Sequence, residues 1–116
     1  MNTETCPFCR IVRGQANAAI VHRDDTVVAF RDIRPMAPTH VLVIPTMHVE
    51  TLQDLQADAV GLVGRMIAVA RQVAVSEGLD SGGYRLVINT GADAGQSVYH
   101  LHMHMLGGRR MNWPPG

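Results

Sequence analysis

The alternation of hydrophobic and polar positions along the chain predicts an antiparallel sheet. Five short apolar runs, bounded by turn-forming residues, have the length and composition of strands: AAIVHRD, TVVAFRDI, HVLVIP, YRLVINT and YHLHMHML. Asp24 and Asp25 join the first two runs as a hairpin, and Pro45 ends the third run. We therefore expect an α+β fold with a sheet of about five strands.

Two further segments have helical patterns. FCRIVRG predicts a short helix that ends at Gly14, and the stretch from about Asp54 to Glu77 predicts the one long helix. Gly78 lies where a C-cap would be. At spacings of three and four residues, the predicted buried face of the long helix holds Val60, Val63, Ile67, Ala70 and Ala74.

Length, charge and cysteine content narrow the class of protein. The 116 residues predict a single domain over 1–116, and a formal net charge of zero predicts neither a nucleic-acid nor a membrane partner. No apolar run approaches the roughly 20 residues that span a bilayer, and MNTETCPFCR lacks the apolar core of a signal peptide. We expect a cytoplasmic protein. In that reducing compartment the C-x-x-C pair, Cys6 and Cys9, suggests metal or redox chemistry.

Half of the six histidines lie at alternate positions of the run YHLHMHML. On a strand, His100, His102 and His104 would share one face, while the intervening apolar residues would pack on the long helix. Such a row could consist of inert polar positions, although three histidines in register argue against this. It could also bind a metal, or supply a nucleophile or base whose neighbours fix its tautomer.

The loop before the histidines favours phosphate chemistry. Asn89, Gly95, Gln96 and Ser97 precede the run. Glycine lets backbone N–H groups approach an anion closely, and the other three side chains donate neutral hydrogen bonds. Beside a neutral imidazole, this loop suits a phosphate and the charge that develops on its oxygens during transfer.

These segments together resemble a known family. HLHMHML matches the His-φ-His-φ-His-φ-φ signature, with φ apolar, of the histidine-triad (HIT) superfamily. FRDIRPMAPTHVLVIP, YRLVINTGADAGQSVYHLHMHMLGGR and the ending WPPG resemble its nucleotide-binding branch, whose members are purine nucleoside phosphoramidases. The resemblance covers nearly the whole chain. It implies a HIT-like fold paired into a two-fold homodimer, with 107–116 as a tail that reaches the partner.

The resemblance also implies a reaction. The protein would hydrolyse the P–N bond of purine nucleoside 5′-phosphoramidates, with adenosine preferred or equal to guanosine, through a covalent nucleotidyl-histidine and without Mg²⁺. AMP or GMP and an amine would be released. His102 is the implied nucleophile, with His104 at the phosphate, Ser97 at the leaving amine and His40 behind the triad.

The remaining implied nucleotide contacts fall into three groups. Asp32 would bind the ribose, Trp113 would shape the leaving-group pocket from the dimer partner's side, and a loop would complete the phosphate site through Asn89, Gly95 and Gln96. The base would lie in an apolar slot formed by Phe8, Ile11, Phe30 and Ile33. For Ile11 and Phe30, plain core packing fits the sequence equally well.

Some bacterial relatives in this family bind zinc, and their ligands correspond here to Cys6, Cys9, His48 and His100. That set would be a closed, structural Cys₂His₂ site. The alternative is a pair of small buried thiols without a metal. His22 has no implied role and is expected to be a solvated strand histidine.

Other functions are compatible with parts of the pattern. A dinucleoside polyphosphate hydrolase of another HIT branch is disfavoured by the ending GGRRMNWPPG, and a galactose-1-phosphate uridylyltransferase is excluded by size. A purine-nucleotide-binding regulatory protein with incidental catalysis, or a zinc module without catalysis, stays open. The discriminating feature is His102, whose replacement would abolish hydrolysis in an enzyme while nucleotide binding persists.

Overall fold

The structure is a computed structural model that describes residues 2–116. Within these residues two helices and five strands follow in the order α1 (Pro7–Val12), β1 (Ile20–Arg23), β2 (Val27–Arg31), β3 (Thr39–Pro45), α2 (Gly61–Ser76), β4 (Tyr84–Val87) and β5 (Met103–Gly107). Neighbouring strands are antiparallel, and the order across the sheet is β1-β2-β3-β5-β4. The predicted α+β fold, with five strands, one long helix and one short helix, is confirmed.

Both faces of the sheet are covered, which explains why its central strands are apolar at almost every position. Alternate side chains of β2 and β3 belong to two separate cores. The core shared with α2 contains, from these strands, Val27, Ala29, Val41 and Val43. The core shared with α1 contains Val28, Phe30, Leu42 and Ile44. Burying one valine, leucine, isoleucine or phenylalanine side chain contributes about 1.5 to 3 kcal/mol to folding stability. The sheet is therefore stabilised on both faces and holds the side chains of the site in defined positions.

The long helix begins later than the sequence predicts, and its buried face overlaps the predicted one only in part. Two short 3₁₀ turns, Leu52–Asp54 and Ala57–Ala59, come before α2. Its buried face is Met66, Val69, Ala70, Val73 and Ala74. The prediction is confirmed at Ala70 and Ala74 and is wrong at Val60, just before the helix, and at Ile67, which are 59% and 40% exposed. Both rows fit a helical period, so periodicity alone could not choose between them.

The predicted ends of both helices are confirmed at their glycines. Gly78 has φ +73°, and the N–H of Leu79 donates to the carbonyl of Ala74 at 2.8 Å, which closes a Schellman-type end. Gly14 likewise has φ +71° just after α1. Glycine adopts this left-handed backbone without steric cost.

The expectation that no segment is long and apolar enough to span a bilayer is wrong for one segment. By length and composition alone, Ala57–Ser76 is long and apolar enough to cross a membrane. A core helix of a globular domain passes the same test, and Met66, Val69 and Val73 on α2 are buried against the sheet. The packing of this segment is therefore that of a core helix.

The strand predicted over Tyr99 to Leu106 is wrong in its first half. Regular strand β5 begins only at Met103, and the backbone before it is irregular. Leu101 is buried on the α2 side together with Met103 and Met105, as predicted. The three histidines therefore lie on the other side, toward α1, where Phe8 packs edge-on to His100 and His102 with the ring centroids 5.9 and 5.2 Å apart.

The predicted hairpin at Asp24 is confirmed, and this carboxylate organises it. Its Oδ1 accepts hydrogen bonds from the N–H groups of Thr26 and Val27, at 2.8 and 2.9 Å. Its Oδ2 lies 2.7 Å from both His22 Nε2 and Arg65 Nη2. The hydrogen bond from His22, followed by those from the two amides and from Arg65, lowers the pKa of Asp24 well below its usual range. His22 is thus half-buried and bonded, not the free solvated side chain that was expected.

Replacing Asp24 is expected to lower stability in a pH-dependent way. Asp24→Ala should cost about 2 to 3 kcal/mol and Asp24→Asn about 1 kcal/mol, because asparagine keeps an acceptor for the two amides but loses the charge. A carboxyl with a depressed folded-state pKa stabilises fully above its unfolded value of about 3.9, and this contribution is lost as pH falls further. Urea unfolding of the wild type and the variants at pH 7 and pH 3 measures this loss of stability. An Asp24→Asn deficit that is equal at both values would contradict the assignment.

Candidate functional site

A mostly apolar cleft of about 290 Å³ opens on the α1 face of the sheet. It is lined by Pro7, Phe8, Ile11, Asn17, Ala18, Phe30, Arg31, Asp32, Ile33, Leu42, Ser97, Val98, His102 and His104. Apolar walls with a few polar groups are typical of sites for small organic ligands. Two of the three clustered histidines therefore face one ligand-sized space.

A backbone carbonyl fixes the protonation of His102. Its Nδ1 lies 2.8 Å from the carbonyl oxygen of His100, and because a carbonyl can only accept, Nδ1 carries the proton. The neutral ring then keeps its lone pair on Nε2. Phe8 packs edge-on to the ring with the centroids 5.2 Å apart. Burial lowers the pKa of His102, against the opposing effects of the His100 hydrogen bond and the Asp32 charge, so the ring is neutral at pH 7.

A backbone amide fixes the tautomers of His40 and His104. The N–H of Met36 donates to His40 Nδ1 at 3.1 Å, which leaves the proton of His40 on Nε2. That N–H faces His104 Nδ1 at 2.9 Å and Asp32 Oδ2 at 3.4 Å, and both can accept. His104 must then carry its own proton on Nε2. The three residues Asp32, His40 and His104 are also close enough for a metal, but this hydrogen-bond chain already uses their facing atoms.

Burial keeps both of these rings neutral. It lowers the pKa of His40, and it lowers that of His104 to about 4 with further contributions from His102 and His40. The negative charge of Asp32 opposes both shifts. The cleft thus receives a neutral acceptor, Nε2 of His102, beside a neutral donor, Nε2–H of His104. A bare imidazole nitrogen is a nucleophile, and a neighbouring N–H can bind the oxygen of the group attacked.

A second cluster lies where α1 meets the irregular backbone before β5. The ligand atoms of Cys6, Cys9, His48 and His100 lie within 4.8 Å of one another. Cys9 Sγ is 3.2 Å from His48 Nδ1 and 3.5 Å from His100 Nδ1, and Cys6 Sγ is 3.4 Å from His100 Nδ1. The two Nδ1 atoms are 3.2 Å apart. These are the four residues that the sequence predicted as metal ligands.

The donor atoms fit a tetrahedral zinc ion. His100 Nε2 donates to the carbonyl of Pro45 at 2.9 Å, so its Nδ1 is bare and faces the thiols. Zinc bonds of about 2.0 to 2.3 Å place tetrahedral ligand atoms about 3.3 to 3.8 Å apart, close to the separations found here. Burial, followed by the neighbouring Cys6 thiol, raises the pKa of Cys9 to about 11. A thiolate at Cys9 therefore needs a cation beside it.

Most of the predicted nucleotide contacts line the cleft, namely Phe8, Ile11, Phe30, Asp32, Ile33, Ser97, His102 and His104. His40 lies directly behind His104. Four predicted contacts lie outside the lining: Asn89, Gly95, Gln96 and Trp113. Trp113 is 81% exposed on the C-terminal tail.

Gln96 is buried and holds the loop before the histidines together. Its Oε1 accepts from the N–H of Gly91 at 2.9 Å. Its Nε2 donates to the carbonyls of Glu50 and Val98, at 2.8 and 3.1 Å. Since these bonds occupy both ends of the amide, the side chain braces the loop that carries Ser97.

Several lining residues were not foreseen in the sequence. Leu42 pairs with Phe30 on one side and with His104 on the other, so it lies between the apolar slot and the histidines. Its alternation with His40 and Ile44 along β3 was a signal that could have found it. The carbonyl and amide groups that fix the histidine tautomers leave no trace in the sequence, because every residue has them.

Sequence comparison places the chain in a known protein family. Residues 13–111 match the HIT domain family. A purine nucleoside phosphoramidase of Escherichia coli strain K12 is 50% identical over 102 residues, which cover 88% of this chain and 86% of that protein.

Solved structures agree in fold as well as in sequence. The crystal structure of a HIT family hydrolase from Legionella pneumophila superposes with a TM-score of 0.94 and 48% identity, over 97% of this chain and 100% of that one. A zinc-bound histidine triad family protein from Mycobacterium smegmatis has a TM-score of 0.81 and 35% identity, over 97% of this chain and 81% of that one.

Proposed function

The chain belongs to the HIT domain family and is a hydrolase, and on this premise we propose that it cleaves the P–N bond of purine nucleoside 5′-phosphoramidates. The observation that carries the proposal is the pair of fixed tautomers in the cleft. Nε2 of His102 is a bare nucleophile, and Nε2–H of His104 is a donor next to it. The similar Escherichia coli protein, whose name states this activity, supports the choice of substrate.

The proposed reaction has two steps. Nε2 of His102 attacks the phosphorus and the P–N bond breaks, while the departing nitrogen takes a proton from solvent and leaves as an amine near Ser97. Water then attacks the phosphorus of the nucleotidyl-histidine and breaks the P–N bond to the imidazole, which releases the nucleoside monophosphate, restores the imidazole and returns a proton to solvent. The N–H of His104 binds a phosphoryl oxygen as charge develops on it. Two steps with a neutral nucleophile replace one direct attack of water on an anionic centre.

The apolar part of the cleft suits a purine ring. Phe8 and Phe30 meet edge to face with the ring centroids 5.4 Å apart, and Ile11 lines the same cleft. Asp32, half-buried at the end of β2, offers a carboxylate for the ribose hydroxyls. Since the slot is apolar, we expect adenosine and guanosine substrates to be used about equally. The loop that contains Asn89 and Gly95 is proposed to complete the phosphate site through its backbone.

We also propose a structural zinc ion held by Cys6, Cys9, His48 and His100. The convergent donor atoms support it, and so does the zinc-bound protein from Mycobacterium smegmatis. The ion would supply the positive charge that stabilises two buried thiolates. Both cysteines are free thiols in this structure, which suits the cytoplasmic location that we propose.

A homodimer is proposed from the surface of α2. Val60, just before the helix, and Ile67 and Val75 on it are 59%, 40% and 61% exposed, and none of the three belongs to the buried face of α2. A two-fold dimer would cover this row, and it would bring Trp113 and the tail 107–116 toward the partner's cleft.

Ile67→Glu is expected to dissociate this dimer, because a buried, unpaired charge at the middle of an apolar interface is strongly unfavourable. Sedimentation velocity would measure the mass of the wild type and of the variant. Arg10→Glu, a comparable surface change on α1, should leave the mass unchanged. A monomeric wild type would contradict the proposed dimer.

Steady-state hydrolysis tests the proposed activity. The substrates would be the adenosine and guanosine 5′-phosphoramidates of a simple aromatic amine, with a diadenosine polyphosphate for comparison. We expect a kcat/KM of at least about 10⁴ M⁻¹s⁻¹ for both phosphoramidates, without added Mg²⁺, and far less for the dinucleotide. Preference for the dinucleotide would move the protein to the other HIT branch, and no turnover by folded wild type would reject the proposal.

A further inference from the structure

The loop between β2 and β3 controls the histidine pair although it is itself poorly packed. Ile33 and Met36 in this loop are 89% and 69% exposed. Ala37, the next residue, is buried, so apolar packing anchors the loop beyond Met36 but not the Met36 side chain itself. Yet the N–H of Met36 is the group that fixes the tautomer of His40. Something else must hold this amide in place.

Arg109, on the tail after β5, makes that connection. Its Nε–H donates to the carbonyl of Met36 at 3.0 Å, and its Nη1 donates to the carbonyl of Arg110 at 3.1 Å. The tail and the loop also touch next to this bond. A Cβ on Gly108 would lie 2.9 Å from Cβ of Pro38, so only glycine permits such a close approach.

These bonds form one continuous chain from the tail to the cleft. Arg109 holds Met36, the N–H of Met36 donates to His40, and His40 donates to His104. If the Met36 amide swings away, the proton of His40 can move to Nδ1. His40 Nε2 would then accept from His104, and the proton of His104 would move to Nδ1. A lone pair would face the phosphate in place of an N–H.

We propose that Arg109 is a positioning residue that keeps His104 in the donor tautomer through Met36 and His40. The catalytic consequence rests on the proposed function, whereas the tautomer itself does not. Asp32 supports the same tautomer, since its Oδ2 lies 3.4 Å from His40 Nε2 and its Oδ1 accepts from the N–H of Arg34. Loss of Arg109 should therefore shift the tautomer population only in part.

Imidazole ¹⁵N chemical shifts of His40 and His104 test the proposal directly, because protonated and bare ring nitrogens differ strongly in shift. Arg109→Ala is expected to give mixed tautomers at both rings. It should also lower kcat for an adenosine 5′-phosphoramidate about 10-fold, less than the 10²- to 10³-fold loss for deleting an oxyanion donor. KM should change little. Arg110→Ala is the matched control and should behave as wild type, since the Arg110 side chain has no hydrogen bond or ion pair within residues 2–116.

Arg109→Met covers the case in which the alanine variant fails to fold. Methionine keeps most of the stem but has no N–H group to donate to the Met36 carbonyl, so it should show the same mixed tautomers. Wild-type shifts at both histidines in a folded Arg109 variant would overturn the proposal. If no protein turns over substrate, the proposed function fails, and the shifts alone still decide the role of Arg109.

Discussion

His102→Asn is expected to abolish turnover and to leave the fold and nucleotide binding intact. Nε2 of His102 is the bare ring nitrogen in the cleft, and its protonation is set by the carbonyl of His100. Asparagine is slightly smaller, and it can still donate to that carbonyl, but its amide nitrogen is not a nucleophile. We expect kcat to fall by at least about 10⁴-fold, the scale of losing a covalent nucleophile.

Single-turnover kinetics and AMP titration would measure the two effects separately. The affinity for AMP should stay within about fivefold of wild type, or about 1 kcal/mol. His22→Asn is the matched control, because His22 lies outside the cleft and its replacement should not change kcat. Substantial turnover by His102→Asn would mean that another group attacks the phosphorus. Loss of both turnover and AMP binding would point to collapse of the cleft.

Cys9→Ser is expected to abolish binding of the proposed zinc ion and to weaken nucleotide binding together. Helix α1 has only six residues, too few to be stable alone, and it carries both Cys9 and the cleft residue Phe8. The Phe8 ring packs on His102 and Phe30. The proposed zinc ion would therefore connect one wall of the cleft to the segment before β5 through Cys9 and His100.

The expected changes follow from linkage. With zinc at about 1,000 times its Kd, binding contributes about 4 kcal/mol to stability, and Cys9→Ser should lose most of this. AMP affinity should fall about 10-fold, equivalent to about 1.4 kcal/mol. Metal analysis, urea unfolding and AMP titration would be compared with chelator-treated wild type, which should match the variant. A purified wild type with no zinc and no response to chelator would contradict the assignment.

The sequence predicted the fold where burial leaves a clear pattern. Strands β2 and β3 are apolar at successive positions because both of their faces are covered, and Gly78 marks the end of α2 by its left-handed backbone. The buried face of α2 was predicted correctly at Ala70 and Ala74 but not at Ile67, because Ile67, which is partly exposed, is as apolar as the buried Met66. Which side packs on the sheet is decided by tertiary contacts, which periodicity does not contain.

The candidate site was predictable as a set of residues but not as a geometry. Alternate spacing predicted three histidines along one strand, but regular strand begins only at Met103, and His100 lies with the cysteines while His102 and His104 line the cleft. The tautomers depend on a carbonyl of Pro45 and an amide of Met36, groups that only the folded chain brings near the rings. The residue types predict which reactions are available, whereas the fold decides where each ring lies and which of its nitrogens carries the proton.

The stereochemical course at phosphorus tests the covalent role of His102 most directly. The substrate would be a P-chiral adenosine 5′-phosphoramidothioate hydrolysed in ¹⁸O-labelled water, with the configuration of the product determined by ³¹P NMR. Each in-line displacement inverts the phosphorus, so attack by His102 followed by attack of water should give overall retention. Inversion would show a single displacement by water and would contradict the nucleotidyl-histidine intermediate.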